Sequence, residues 1–198
     1  MVGFDLQKCR KLAYDRIEPE QRGMSVSEST KKNAEKALLE ATLCFLVRDG
    51  NVLLGRKTRH IGEGCWNGYG GEIEQGESVR KAAVRELEQE SGVRAREEDL
   101  TEAAIITFHN RTEDGRRFDC RVHVFTIDAW EGDAVPTAEM ATPTWFDTNT
   151  LPFEEMMPAD RYWLPHVLKR KVIIAEAWYG PRQKAMERPV LIHDFDQV

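Results

Sequence analysis

The sequence predicts an α+β layered domain, and three features carry that prediction. Two apolar runs, Ala41 to Val47 and Val52 to Leu54, flank Arg48-Asp49-Gly50-Asn51, whose Asp-Gly pair is hairpin turn chemistry. Ser78 opens and Gly92 closes a segment with Val79, Ala83 and Leu87 at four-residue steps, the periodicity of a half-buried helix. Further strand-like runs follow, and a second helical segment precedes two last apolar runs. Strands around a central helix, with another helix near the end, pack as layers.

Taken in order, residues 1–40 read as a charged, partly helical extension. Phe4, Leu6, Leu12, Ala13 and Ile17 suggest a short amphipathic helix ending near Pro19, Gly23 to Thr30 a polar linker, and Lys31 to Leu39 another helical turn or two. The compact domain is expected over 41–198. After the first hairpin, Gly62, Gly64, Gly68, Gly70 and Gly71 punctuate a loop-rich stretch around Trp66-Asn67-Gly68-Tyr69. The central helix is expected from Ser78 to Glu90 or Ser91. Ala103 to Phe108 and Cys120 to Ile127 read as strands on either side of the turn Glu113-Asp114-Gly115, and Thr144 to Asp147 as another short strand. Ala159 to Arg170 reads as the second helix, and Val172 to Trp178 with Pro189 to His193 as a closing hairpin.

Bulk properties exclude several classes. A formal charge of −6 over 198 residues argues against a general nucleic-acid binder, which would carry a basic stripe. No apolar run approaches a membrane span, and the first residues lack the apolar core of a signal peptide. Cys9, Cys44, Cys65 and Cys120 are scattered without metal-binding spacing, which fits reduced thiols and a cytoplasmic setting. His60, His109 and His123 read as loop or strand residues, not ligands.

The chemical signal lies in the central helix. Glu86, Gln89 and Glu90 stand at i, i+3 and i+4, so a helix presents them on one face. Two carboxylates that close repel, and a hard divalent cation with oxygen ligands resolves the repulsion. Glu88 is one residue from Gln89, about a 100° rotation on a helix, and points away from the Glu86–Glu90 face. The buried stripe of the helix is Val79, Ala83 and Leu87, with the carboxylates expected off it, near its edge.

The spacing G-x5-E-x7-R-E-U-x-E-E-x-G-U, with U aliphatic, resembles the signature of the Nudix hydrolases. Gly71, Glu77, Arg85, Glu86, Leu87, Glu90, Gly92 and Val93 match it, and Gln89 departs from it by replacing a glutamate. The resemblance implies an α/β/α sandwich about a central mixed sheet and a site for Mg²⁺, with Mn²⁺ as the second candidate. It implies metal ligation by Gly70 through its carbonyl, by Glu86, Gln89 and Glu90, and by a further carboxylate at Glu139. Arg85 is expected to orient the acids and Glu77 to brace the loop; Arg85, Glu86 and Glu90 form the catalytic set. With Gln89 in place of a glutamate the site holds one negative charge fewer.

Leu53-Leu54-Gly55-Arg56-Lys57, Gly64 to Gly71, Trp145-Phe146, Leu151-Pro152-Phe153 and Met156 to Trp163 are similar to the MutT-homologue 8-oxo-dGTP diphosphatases. This likeness runs from about residue 41 to 198. It implies hydrolysis of an oxidised purine nucleoside triphosphate to the monophosphate and pyrophosphate, a role in nucleotide-pool sanitation. Thr42, Lys57, Asn67, Tyr69, Met157 and Asp160 are then expected to bind the nucleotide. Met157 stands where the family has a stacking Trp, and Ala159 where it has an Asp. Two other readings stay open: a Nudix hydrolase of another nucleoside-diphosphate-linked substrate, and a nucleotide-binding Nudix domain weakened by Gln89. No nucleic acid and no membrane is expected as a partner, and the N-terminal extension is a candidate for a protein contact.

Overall fold

The computed structural model describes residues 37–195. The expected N-terminal helix and linker lie outside the described residues. Eight strands form one mixed sheet: β1 (Ala37–Arg48), β2 (Asn51–Lys57), β3 (Trp66–Asn67), β4 (Leu100–Arg111), β5 (Arg117–Ile127), β6 (Met140–Asp147), β7 (Val172–Pro181) and β8 (Met186–Phe195). Their order is β3-β2-β1-β5-β4-β7-β8, with β6 on β2. The β1–β5 and β4–β7 pairs are parallel and the others antiparallel. Helix α1 (Val79–Ser91) and helix α2 (Asp160–Leu168) complete the sandwich.

Alternation along the strands makes two cores. β1 sends Leu43, Phe45 and Val47 into the core that holds Trp163, Leu164 and Val167 of α2. It sends Cys44 and Leu46 into the core that holds Ala83 and Leu87 of α1. β2 divides likewise, Val52 and Leu54 against Leu53. The sheet is thus apolar on both faces and each helix covers one.

Most expected elements are present, and longer. The hairpin turns at Asp49 and Gly50, both at positive φ. Ser78 caps α1 through its side chain, and Gly92 ends it in the left-handed region at φ 75°. One expectation is overturned: Ala37 to Leu39 is not helical but the start of β1, because these residues pair in register with Phe118 to Cys120 of β5. Helix α2 is also shorter than expected. It ends at Leu168, where Arg170 at φ 62° turns the chain into β7.

The segment that positions the site is Gly68 to Gly71. Its backbone lies against β1, with Tyr69 N–H and C=O paired to Cys44 at 2.9 and 2.7 Å and the Gly71 C=O accepting from Thr42 N–H at 2.9 Å. A Cβ on Gly68 would stand 2.6 Å from the Cys44 carbonyl oxygen, and one on Gly70 would overlap the Thr42 carbonyl. Gly70→Ala must therefore push the loop off β1. It is expected to cost roughly 3 kcal/mol of stability, read as a lower urea midpoint, whereas Gly76→Ala, where no atom lies within 4 Å of the added carbon, is expected to cost less than half as much despite the positive φ.

Candidate active site

Helix α1 and the glycine segment face each other across the site. Glu90 is buried, 4% exposed, and its Oε2 accepts the Gly70 N–H at 2.8 Å. Its place corrects the expectation that both carboxylates stand off the buried stripe: Glu86 is part-buried, but Glu90 follows Leu87 by three residues and the glycine segment closes over it. Burial pushes the Glu90 carboxyl up to about 7, with Glu86 and Glu139 adding to the rise while the Gly70 N–H and Lys57 oppose it. Glu86 packs on Gly71, where a Cβ would meet its carboxylate at 2.6 Å. Tyr69 and Gly71 both spend their carbonyls on β1, so by alternation the Gly70 carbonyl points away from it.

Arg85 organises the acids. Its Nε and Nη2 grip Glu77 bidentately at 3.0 and 2.8 Å, and Nη2 also donates to the Glu72 carbonyl at 3.1 Å. Its Nη1 donates to Glu86 at 2.6 Å and to Gln89 Oε1 at 3.2 Å. This fork holds Glu77 below the ordinary carboxylate range and raises the Arg85 guanidinium above its own. The bidentate contact thus goes to Glu77 and the single one to Glu86. Gln89 is exposed with its carbonyl turned to Arg85, and Glu88 pairs with Arg94 at 2.7 Å, away from Glu86 and Glu90.

Glu139, just before β6, forms an ion pair with Arg59, which holds it below its ordinary range. Arg59 is a site residue with no signal in the sequence: it stands in an irregular loop, and only the fold brings it to Glu139. Among the described residues no three His, Cys, Asp or Glu side chains gather as a metal-holding group. The carboxylates that lie close together are Glu86 and Glu90, with the Gly70 carbonyl and, once it leaves Arg85, the Gln89 amide oxygen as further neutral donors that could join them. They are all hard oxygens, and the buried Glu90 has no ion-pair partner of its own among the described residues, so the set suits a divalent cation such as magnesium.

The second half of the site lies on the α2 side. Asp160 is 4% exposed; its Oδ2 accepts the Met157 N–H at 3.2 Å and its Oδ1 the Trp163 indole N–H at 3.1 Å. Met157 and the Lys57 stem both approach Gly62, lying 3.4 and 3.5 Å from where its Cβ would be. Lys57 thereby joins the halves, because its charge is also felt at Glu90 and Glu139. Asn67 is part-buried in β3 and its Oδ1 accepts the Gly68 N–H at 2.9 Å, which leaves its NH₂ to donate. Thr42 is 3% exposed with a buried hydroxyl that has no partner among the described residues. Tyr69 differs from the others: its side chain has no exposed surface and packs in the α1-side core, so it supports the glycine segment rather than opening to a ligand. Tyr179 is a further residue that sequence reasoning did not single out. Its hydroxyl accepts the Ala159 N–H at 3.0 Å and anchors the start of α2 beside Asp160.

A mixed sheet between helices, with an acidic helix face folded under a glycine turn, defines a class of phosphoanhydride hydrolases. Comparison with known proteins agrees: the NUDIX domain family matches residues 38–167. The chain belongs to the Nudix hydrolase family. It is 39% identical over 130 residues to an oxidized purine nucleoside triphosphate hydrolase of Danio rerio and 36% to that of Mus musculus, in each case over 66% of this chain and 80% of the relative. In fold it resembles the MutT protein of Bacillus halodurans, with a TM-score of 0.67 at 21% identity over 78% of this chain and 97% of that one. Among the described residues no helix is long and apolar enough to cross a membrane.

Burial raises the Asp160 carboxyl from 3.8 to about 7, against the pull of its two N–H donors. The folded group holds its proton more tightly than the unfolded one, so its contribution to stability is full below 3.8 and is lost as pH rises to about 7. Asp160→Asn is expected to lessen the fall of urea-unfolding stability across that window, leaving the part that Glu90 contributes; a slope identical to that of the unsubstituted protein would remove Asp160 as a source.

Proposed function

We propose that this chain is a Mg²⁺-dependent pyrophosphohydrolase of purine nucleoside triphosphates, with oxidised purines such as 8-oxo-dGTP as the favoured class. Water attacks a phosphorus of the triphosphate, and the products are the nucleoside monophosphate and pyrophosphate. The observation that carries the reading is the pairing of the two half-sites: Glu86 and Glu90 under Gly70 at one end, Asn67, Met157 and Asp160 at the other, Lys57 between. The names of the relatives support the purine nucleotide class.

Bound Mg²⁺ supplies charge neutralisation at the phosphates and acidifies the attacking water. Glu90, held beside Glu86 under the Gly70 N–H, is the candidate to take the proton of the attacking water. Arg85 keeps Glu86 pointed toward Gly71 and ties the loop to the helix through Glu77. Lys57 places a positive charge between base and phosphates. At the base, Asp160 in its protonated form donates a hydrogen bond to an acceptor edge, and the Asn67 NH₂ donates to another. Met157 covers the base face with a polarizable thioether instead of an aromatic platform.

A second reading is favoured by Gln89, whose neutral carbonyl rests on Arg85: a domain that binds nucleotides and turns them over slowly. Release of pyrophosphate from a nucleotide panel, with and without Mg²⁺, separates the two. Turnover led by 8-oxo-dGTP supports the hydrolase; binding without turnover supports the second reading, and dinucleotides or nucleotide sugars as best substrates would replace the purine triphosphate assignment. Gln89→Glu is expected to lower the Mg²⁺ concentration for half-maximal rate roughly tenfold. Met157→Trp adds stacking worth about 1 kcal/mol, expected as a several-fold lower KM for 8-oxo-dGTP at similar kcat.

A further inference from the structure

Apart from the Nudix signature segment Gly71 to Val93, the box, a cavity of about 300 Å³ opens where the ends of β4 and β7 meet the beginnings of β5 and β8. Its walls carry three guanidiniums: Arg111 from β4, Arg117 from β5 and Arg188 from β8. Arg111 is ion-paired with Glu187, yet its Nε stays buried with no hydrogen-bond partner among the described residues. Arg117 and Arg188 form no ion pair with a carboxylate among those residues, in a chain where most described arginines do, although the Arg188 charge is felt at Glu176. His109 is not a spare cation here, since its two ring nitrogens lie 2.8 Å from Asp119 and from Glu176. The cavity lining thus carries three guanidiniums against one carboxylate, Glu187, on a protein of net charge −6.

The aromatic residues of the cavity show what the ligand is not. Trp178 pairs across the sheet with His109 on one flank and Arg188 on the other. His109 stacks on it at 4.8 Å and 14°, and the Arg188 guanidinium carbon lies 3.5 Å from its ring centre. Tyr179 is stacked on Phe108 at 6.0 Å. With these faces taken, no aromatic platform remains for a nucleobase. Stacking uses the π face of Arg188 and leaves its in-plane N–H donors, the geometry that grips an oxyanion by two parallel hydrogen bonds.

We propose that this cavity is a binding site for a small, multiply charged phosphorus oxyanion of pyrophosphate size, held by Arg111, Arg117 and Arg188 and separate from the box. The site does not rest on the nucleotide reading, and it gives the protein a place to sense phosphate compounds while the box holds another. The test is titration calorimetry of the full chain with sodium pyrophosphate in EDTA, so that no divalent ion recruits the ligand to the box. Unsubstituted protein and Glu86→Gln are expected to bind alike. Arg117→Gln with Arg188→Gln is expected to weaken binding at least tenfold while the thermal midpoint without ligand stays put; Arg188→Gln alone, weakening it several-fold, serves if the double variant does not fold. Binding that falls steeply with added NaCl is part of the expected result. The proposal is overturned by no binding to the unsubstituted protein, by loss of binding in Glu86→Gln, by full affinity in the arginine variants, or by citrate binding as tightly as pyrophosphate.

Discussion

The close approach of the Gly68–Gly71 backbone to β1 is the contact on which the rest of the site depends. It needs residues without a Cβ, because the Cys44 and Thr42 carbonyls occupy that space. The approach turns the Gly70 N–H onto Glu90 and presents Gly71 as a flat seat for Glu86. One short stretch of sequence therefore fixes the position of both carboxylates and of the backbone carbonyl between them. The Arg85 fork ties the far end of the loop to α1 through Glu77 and Glu72. Preorganisation of this kind matters in a site built on charge, since groups already fixed need not reorient as charge develops.

The same burial that builds the two cores also sets the chemistry at each end of the cleft. Glu90 and Asp160 are both nearly inaccessible, both accept backbone or indole N–H bonds, and both are nevertheless pushed up to about 7. Desolvation exceeds what one or two donors restore. The two carboxyls differ in their surroundings: Glu90 shares its space with Glu86, Glu139 and Lys57, whereas Asp160 sits among Met157 and Trp163.

Much of this was legible in the residues themselves. Turn chemistry at Asp49-Gly50, the Ser78 and Gly92 caps and the i, i+3, i+4 carboxylates are local signals, and the structure follows them. The misreadings share a cause in long-range pairing. Ala37 to Leu39 has helical composition, but β5 offers a parallel register that continues the strand. Tyr69 belongs to a motif on the ligand side, yet strand alternation points its ring into the α1-side core. Arg59, Tyr179 and the arginine cavity have no spacing signature at all, because their partners are 80 and 20 residues away for the first two and spread over four strands for the third.

Gln89 is best understood from the guanidinium it touches. Arg85 already satisfies two carboxylates, Glu77 and Glu86, and one backbone carbonyl. A third acid at position 89 would share the Nη1 group with Glu86 and add a like charge one turn from it, a repulsion that only a bound cation relieves. The amide gives Arg85 an acceptor at 3.2 Å without that repulsion. The ion-free helix face therefore carries less repulsion than one with three glutamates, and it holds one negative charge fewer. Glu86 and Glu90 keep the two carboxylates nearest the glycine segment, Glu86 against Gly71 and Glu90 on the Gly70 N–H.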